Sequence, residues 1–131
     1  MQQIINSPEE MFDLWKELAA TSKILLLHGE LGAGKTTLIK GFAAGLGINA
    51  DEVTSPTYTY IQEYDKKLLH IDMYNIKTYD ELLHKWILDL IDQYQLIVIE
   101  WPKFVEQLDL EDPTTIFITK KDSSTRELSI V

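Results

Sequence analysis

The chain has 131 residues, of which 45% are apolar and 25% charged, and it contains no cysteine. That length predicts one domain over residues 1–131, with a core that buries roughly two-thirds of the unfolded surface. Twenty-one acidic against twelve basic residues leave a net charge of −9, which argues against a free-standing nucleic-acid binder, while the lack of cysteine excludes a disulfide framework and thiolate chemistry.

The N-terminus MQQIINSPEEMFDLW lacks the basic flank and apolar core of a signal peptide, and no apolar run approaches bilayer length. A cytoplasmic protein without a membrane partner is the expectation. Ser7, Pro8, Glu9 and Glu10 form a capping box with proline at the first helical position, opening a helix that aligns Met11, Leu14, Trp15 and Leu18. Lys23 to Leu27 (KILLL) is a continuous apolar run of the kind found in buried strands. A helix is predicted from Lys35 to about Leu46, stopped by Gly47. YTYIQEY and LLHID flank Asp65-Lys66-Lys67 as a hairpin, with Tyr58, Tyr60 and Tyr64 alternating along one strand. Thr78 and Glu81 open a further helix, burying Leu82, Leu83, Trp86 and Leu90. QLIVIE reads as another buried strand, and TTIFITK pairs with RELSIV across a polar turn. Strands alternating with helices, closed by a hairpin, predict an α/β fold.

The stretch HGELGAGKTTLIKG, residues 28–41, follows the first apolar strand. Gly29, four residues, then Gly34-Lys35-Thr36 fit the phosphate-binding P-loop pattern. Glycines let successive backbone N–H groups turn toward a phosphate, and the helix that follows adds the positive end of its dipole. Lys35 then neutralises the β- and γ-phosphates, and the Thr36 hydroxyl ligates Mg²⁺. Such a site needs an acid on a neighbouring strand. Asp72 and Glu100 both end apolar runs, where the carboxyl ends of strands carry ligands in open α/β sheets. Thr54-Ser55-Pro56-Thr57 lies between the loop helix and Asp72, in the place of a γ-phosphate switch or a plain turn.

GELGAGKTT, SPTYT, HIDMY and IEWP, in this order over residues 29–102, resemble the TsaE (YjeE) family of bacterial P-loop ATPases. The resemblance implies a P-loop NTPase three-layer sandwich, mostly parallel with antiparallel hairpin strands. It also implies ATP bound along Gly32, Ala33, Gly34, Lys35, Thr36 and Thr37, with Mg²⁺ held by Thr36 and Glu100. Catalysis then falls to Lys35, Asp72 and Glu100, and Trp101 stands beside the site. The implied role is support of tRNA N6-threonylcarbamoyladenosine modification with TsaD- and TsaB-like partners, touching tRNA only indirectly. The chain departs from the family in having Asn75 where an arginine commonly follows the DLY-like motif, and in ending soon after the last hairpin.

Arg126 is the single arginine. It is either a strand-surface residue or a nucleotide contact at the sheet edge, and its solitude predicts slow hydrolysis by the isolated chain, because phosphoryl transfer depends on cations. A small-molecule kinase needs an arginine-bearing lid, and no basic lid segment is visible. Thr119-Lys120-Lys121-Asp122 resembles the guanine-reading motif of GTPases, but no Asp-x-x-Gly follows Asp72 or Asp92, so KKDSS reads as a hairpin turn. A nucleotide-gated interaction module without required turnover stays open, since loop and metal ligands serve binding equally well. His28, His70 and His84 show no metal-ligand spacing, and Trp15 and Trp86 are expected in the core.

Overall fold

The computed structural model describes residues 2–29, 35–49, 61–74, 89–108 and 110–131, and the side chains of residues 35–37 and 107 lie outside that description. Several expectations therefore fall outside the described residues: Gly32, Ala33 and Gly34 of the loop, Thr54 to Thr57, Tyr58, Tyr60, Asn75, and the capping box at Thr78 with most of its helix.

Among the described residues the elements are, in order, β1 (Gln2–Ile5), α1 (Pro8–Thr21), β2 (Ile24–Gly29), α2 (Lys35–Gly45), β3 (Ile61–Tyr64), β4 (Leu68–Asp72), β5 (Leu96–Glu100), α3 (Val105–Leu108), β6 (Thr114–Lys120) and β7 (Arg126–Ile130). Residues 89–91 are helical, in keeping with the end of the helix predicted after Thr78. The strands form one sheet in the order β1-β7-β6-β2-β5-β4-β3. The four central strands, β6, β2, β5 and β4, are mutually parallel, and the antiparallel pairs lie at the margins. This is the α/β architecture predicted, with β1 and α3 added. Neither carries a strong local signal: QQII lacks alternation and α3 is a single turn.

Alternation along the strands divides the core in two. Leu25, Leu27, Leu68, Leu96, Val98, Ile116 and Leu128 face α1 and α2, meeting Met11, Leu14, Trp15, Leu38, Ile39 and Phe42. Ile24, Leu26, Leu69, Ile71, Ile97 and Ile99 face the other way and pack with Met73, Ile91, Tyr94 and Leu108. The unbroken apolar runs of β2 and β5 are thus strands covered on both faces, which is why they show no polar alternation.

The predicted cap of α1 is present in a shifted form. Ser7 Oγ accepts from the Glu10 N–H at 3.1 Å, while Glu10 Oε2 reaches back to the Asn6 N–H at 3.1 Å. α1 and α2 run side by side in the same direction, and two glycines let them touch. A Cβ on Gly41 would stand 2.7 Å from Trp15 Cβ, and one on Gly45 would stand 2.5 Å from the Lys16 carbonyl oxygen. Gly47 ends the α2 segment at φ +76°, a conformation that costs glycine little. The Asp65-Lys66 turn has φ of 52° and 54°, so both residues are left-handed, as the tight turn of the β3–β4 hairpin requires. Among the described residues no helix is long and apolar enough to cross a membrane.

Candidate nucleotide site

β2 is the strand at which the order of connection across the sheet reverses. The chain goes from β2 to β4 on one side, inserts β5 between them, then crosses to β6 on the other side. In open α/β sheets ligands bind beyond the carboxyl ends of strands at such a switch. β2 ends at Gly29 and α2 begins at Lys35, so the glycine loop bridges the strand end and the helix start at this place. Five intervening residues, 30–34, lie outside the described residues, as do the side chains of Lys35, Thr36 and Thr37.

The two predicted acids are brought together here. The parallel register pairs Asp72 directly with Glu100, and Glu100 also lies opposite Leu27, two residues before the end of β2. Asp72 Oδ1 accepts from the Tyr74 N–H at 2.9 Å, a local turn that fixes the strand end. Glu100 is buried, at 3% exposure, and its Oε2 lies 2.8 Å from His70 Nε2. Among the described residues, His70 and Glu100 are the two buried polar or charged side chains, and they bond to each other. Tyr64 belongs to the same surroundings. Its hydroxyl donates to Gln62 Oε1, and burial first, then the charge of Glu100, push it above its ordinary range.

Backbone bonds lock the strand ends to one another. Met73 N–H donates to the Glu100 carbonyl and Trp101 N–H to the Leu27 carbonyl, each at 3.0 Å. Trp101 has φ 52° and Phe104 φ 56°, so the chain leaves β5 through left-handed conformations rarely taken by bulky residues. Trp101 meets the edge of exposed Tyr74 at 5.3 Å, and Lys103 Nζ donates to the Tyr74 carbonyl at 3.1 Å. The Trp101 indole Nε1 is buried and has no hydrogen-bond partner among the described residues. Trp101 thus spans the ends of β2, β4 and β5.

Arg126 lies at the same edge of the sheet but further along it, opposite Lys120 of β6. Its Nη1 donates to the carbonyls of Asp122 and Thr125 at 3.0 and 3.2 Å. Asp122 itself sits in the β6–β7 turn, where Oδ1 accepts from the Ser124 and Thr125 N–H groups, so the KKDSS stretch is the hairpin turn expected. His28 stacks on Phe117 at 4.7 Å on the opposite sheet face from Glu100. A cavity of about 550 Å³ opens at the other end of the sheet, lined by Lys23, Asp92, Glu111 and Asp112 among others. It adjoins the starts of β2 and β6, the end opposite the glycine loop.

His70 is the neighbour of Glu100 that sequence reasoning missed. As one of three scattered histidines it carried no ligand spacing, and its partner stands thirty positions away. The one available signal was its place two residues before Asp72, on the same strand face.

The family model of the threonylcarbamoyl adenosine biosynthesis protein TsaE matches residues 5–128. The chain belongs to the TsaE family. Its similarity to the tRNA threonylcarbamoyladenosine biosynthesis protein TsaE of Bacillus subtilis (strain 168) is 36% identity, covering 94% of this chain and 80% of that protein. The protein of the same name from Treponema pallidum (strain Nichols) is 31% identical, covering 86% of this chain and 84% of that one. Among solved structures, Bacillus subtilis YdiB superposes with a TM-score of 0.73 at 29% identity, covering 99% of this chain and 83% of YdiB. The matched span includes the glycine loop, Asp72, Glu100 and Arg126, so the TsaE resemblance of the four motifs extends over nearly the whole chain.

Proposed function

We propose that this TsaE-family chain is a Mg²⁺-dependent ATPase that acts through nucleotide-dependent contact with partner proteins. Family membership places it in tRNA threonylcarbamoyladenosine biosynthesis, and TsaD- and TsaB-like proteins are the partners of this reading. The observation that carries it is the pairing of Asp72 with buried, hydrogen-bonded Glu100 beside the strand that feeds the glycine loop.

The residues fit a hydrated divalent cation. Mg²⁺ takes hard oxygen ligands, commonly one or two carboxylates together with phosphate oxygens and water. Thr36 and Glu100 are the residues that hold it in this reading, and when bound it neutralises charge on the β- and γ-phosphates. Backbone N–H groups along Gly32–Thr37 and the start of α2 receive the phosphates. Lys35 stabilises the negative charge that spreads during phosphoryl transfer, and Asp72 orients water or the cation's hydration shell. Glu100, fixed inside the protein, holds its carboxylate at one place while the phosphorus–oxygen bond breaks and water supplies the new oxygen.

Glu100→Gln tests the assignment. ATP binding should persist by calorimetry while phosphate release falls by on the order of 10²-fold or more. Unchanged hydrolysis in a folded Glu100→Gln protein rejects Glu100 as a working group. The second reading, a nucleotide-gated module without turnover, draws on the lone arginine, whose guanidinium is engaged with its own turn. It wins if tRNA modification survives the loss of hydrolysis.

A further inference from the structure

The His70–Glu100 bond has the wrong character for a purely structural device. Buried charged or polar pairs seldom add net stability over well-packed apolar residues, because desolvation offsets their attraction. The face they occupy is otherwise filled by Leu68, Val98, Leu25 and Leu27, so an apolar pair would satisfy this layer of the core. The pair instead sits at the outlet of the sheet, next to the strand ends that frame the glycine loop.

We propose that His70 is a positioning residue for Glu100: its Nε2–H donates to Glu100 Oε2 and sets the carboxylate's orientation before nucleotide and cation arrive. This rests on the reading above, in which Glu100 holds the cation. A carboxylate only accepts hydrogen bonds, so the imidazole proton must be on Nε2. Register supplies the geometry. Asp72 stands opposite Glu100 and His70 opposite Val98, so the imidazole approaches Glu100 along the diagonal of neighbouring parallel strands. The side chains are 3% and 4% exposed and 2.8 Å apart, a distance at which a charge-assisted bond is strong and water does not compete.

The consequence is preorganisation. Glutamate has three side-chain torsions to order when it binds a cation, and the imidazole bond fixes them in advance. Partners of this kind, one step behind the ligand, typically change metal affinity by about 10- to 100-fold when removed. Tyr64 registers the charge of Glu100, but its hydroxyl is directed to Gln62, whereas the His70 imidazole bonds Oε2 itself.

The test compares wild type with His70→Phe, which keeps a ring and loses the donor, His70→Gln, which keeps a donor near the Nε2 position, and Glu100→Gln. Three measurements serve: the Mg²⁺ concentration that half-saturates its effect on ATP binding, ATP binding without metal, and histidine ¹⁵N NMR of the protein free of both. His70→Phe should raise the Mg²⁺ requirement about 10- to 100-fold, leave metal-free ATP binding unchanged, and be largely rescued in His70→Gln. The NMR spectrum should show an exchange-protected Nε2–H that shifts in Glu100→Gln. A folded His70→Phe protein with a wild-type Mg²⁺ requirement, while Glu100→Gln alters it, overturns the role of His70 and leaves Glu100 standing. If Glu100→Gln alters neither Mg²⁺ requirement nor hydrolysis, the cation reading fails instead and takes this proposal with it. Should His70→Phe not fold, the NMR spectrum decides: a His70 proton on Nδ1 alone overturns the proposal.

Discussion

His28 and His70 lie on opposite faces of the sheet, two strands apart, and the same side chain is put to different uses. His70 faces a carboxylate. His28 faces the ring of Phe117, and burial lowers its pKa from the ordinary value of 6.5. The unfolded chain therefore binds a proton near pH 6.5 that the native ring refuses until lower pH. Stability is full above 6.5 and falls as pH drops through it toward the lowered native value. The effect is small, because the ring is only half-buried, and His28→Gln should flatten it. An NMR titration of His28 with a midpoint at or above 6.5 refutes burial as the controlling cause. At this scale the strand-end places of Asp72 and Glu100 were legible, because an acid that ends an apolar run is conspicuous in one dimension. His70 was not, since a histidine within LLHID looks like any strand residue until β4 is laid beside β5.

The α1–α2 contact shows how a helix is seated by close packing along its length. α2 starts at Lys35 and is seated toward its opposite end, where Gly45 meets Lys16 and Ala19. Gly45→Ala should cost about 1–3 kcal/mol by denaturant unfolding, since the obstructing atom is backbone and cannot swing aside. If α2 shifts to relieve that clash, ATP affinity falls with it. Ser7→Ala removes a cap instead and should cost about 1 kcal/mol. A Gly45→Ala protein as stable as wild type would show that the helices tolerate a wider separation. Elements with strong local signatures, such as the Ser7 cap, the apolar β2 and β5, and the β6–β7 hairpin, were legible from residues alone. β1 was not, because its four residues become a strand only through β7, more than 120 positions away.

At the scale of the whole molecule the proposed nucleotide site depends on the fold. The end of β2 and the paired acids come from three separate parts of the sequence and are neighbours only when β2, β5 and β4 stand side by side. A ligand that binds this assembled edge stabilises the native state by mass action, about 2.7 kcal/mol at a hundredfold excess over Kd. Mg²⁺-ATP should therefore raise the melting temperature of wild type and leave Lys35→Ala unmoved, while both proteins melt alike without nucleotide. An equal rise in both misplaces the phosphate site. Turnover belongs to this scale too. With one arginine, bonded to the carbonyls of its own turn, the isolated chain should hydrolyse ATP slowly and accelerate with its partner complex. Fast hydrolysis by the chain alone rejects that dependence. The loop's spacing is local and was readable, whereas the sheet order that gives it two acids is a property of long-range pairing.

β1 has its sheet neighbour at the far end of this sequence. Gln2–Ile5 has β7 as its neighbour in the sheet, and Ile5 is buried against a layer that includes Leu128. A chain lacking β7 leaves Gln2–Ile5 without that neighbour. Closure of this margin thus ties two distant segments together, and loss of β7 should expose Ile5 and leave the sheet with an open flank.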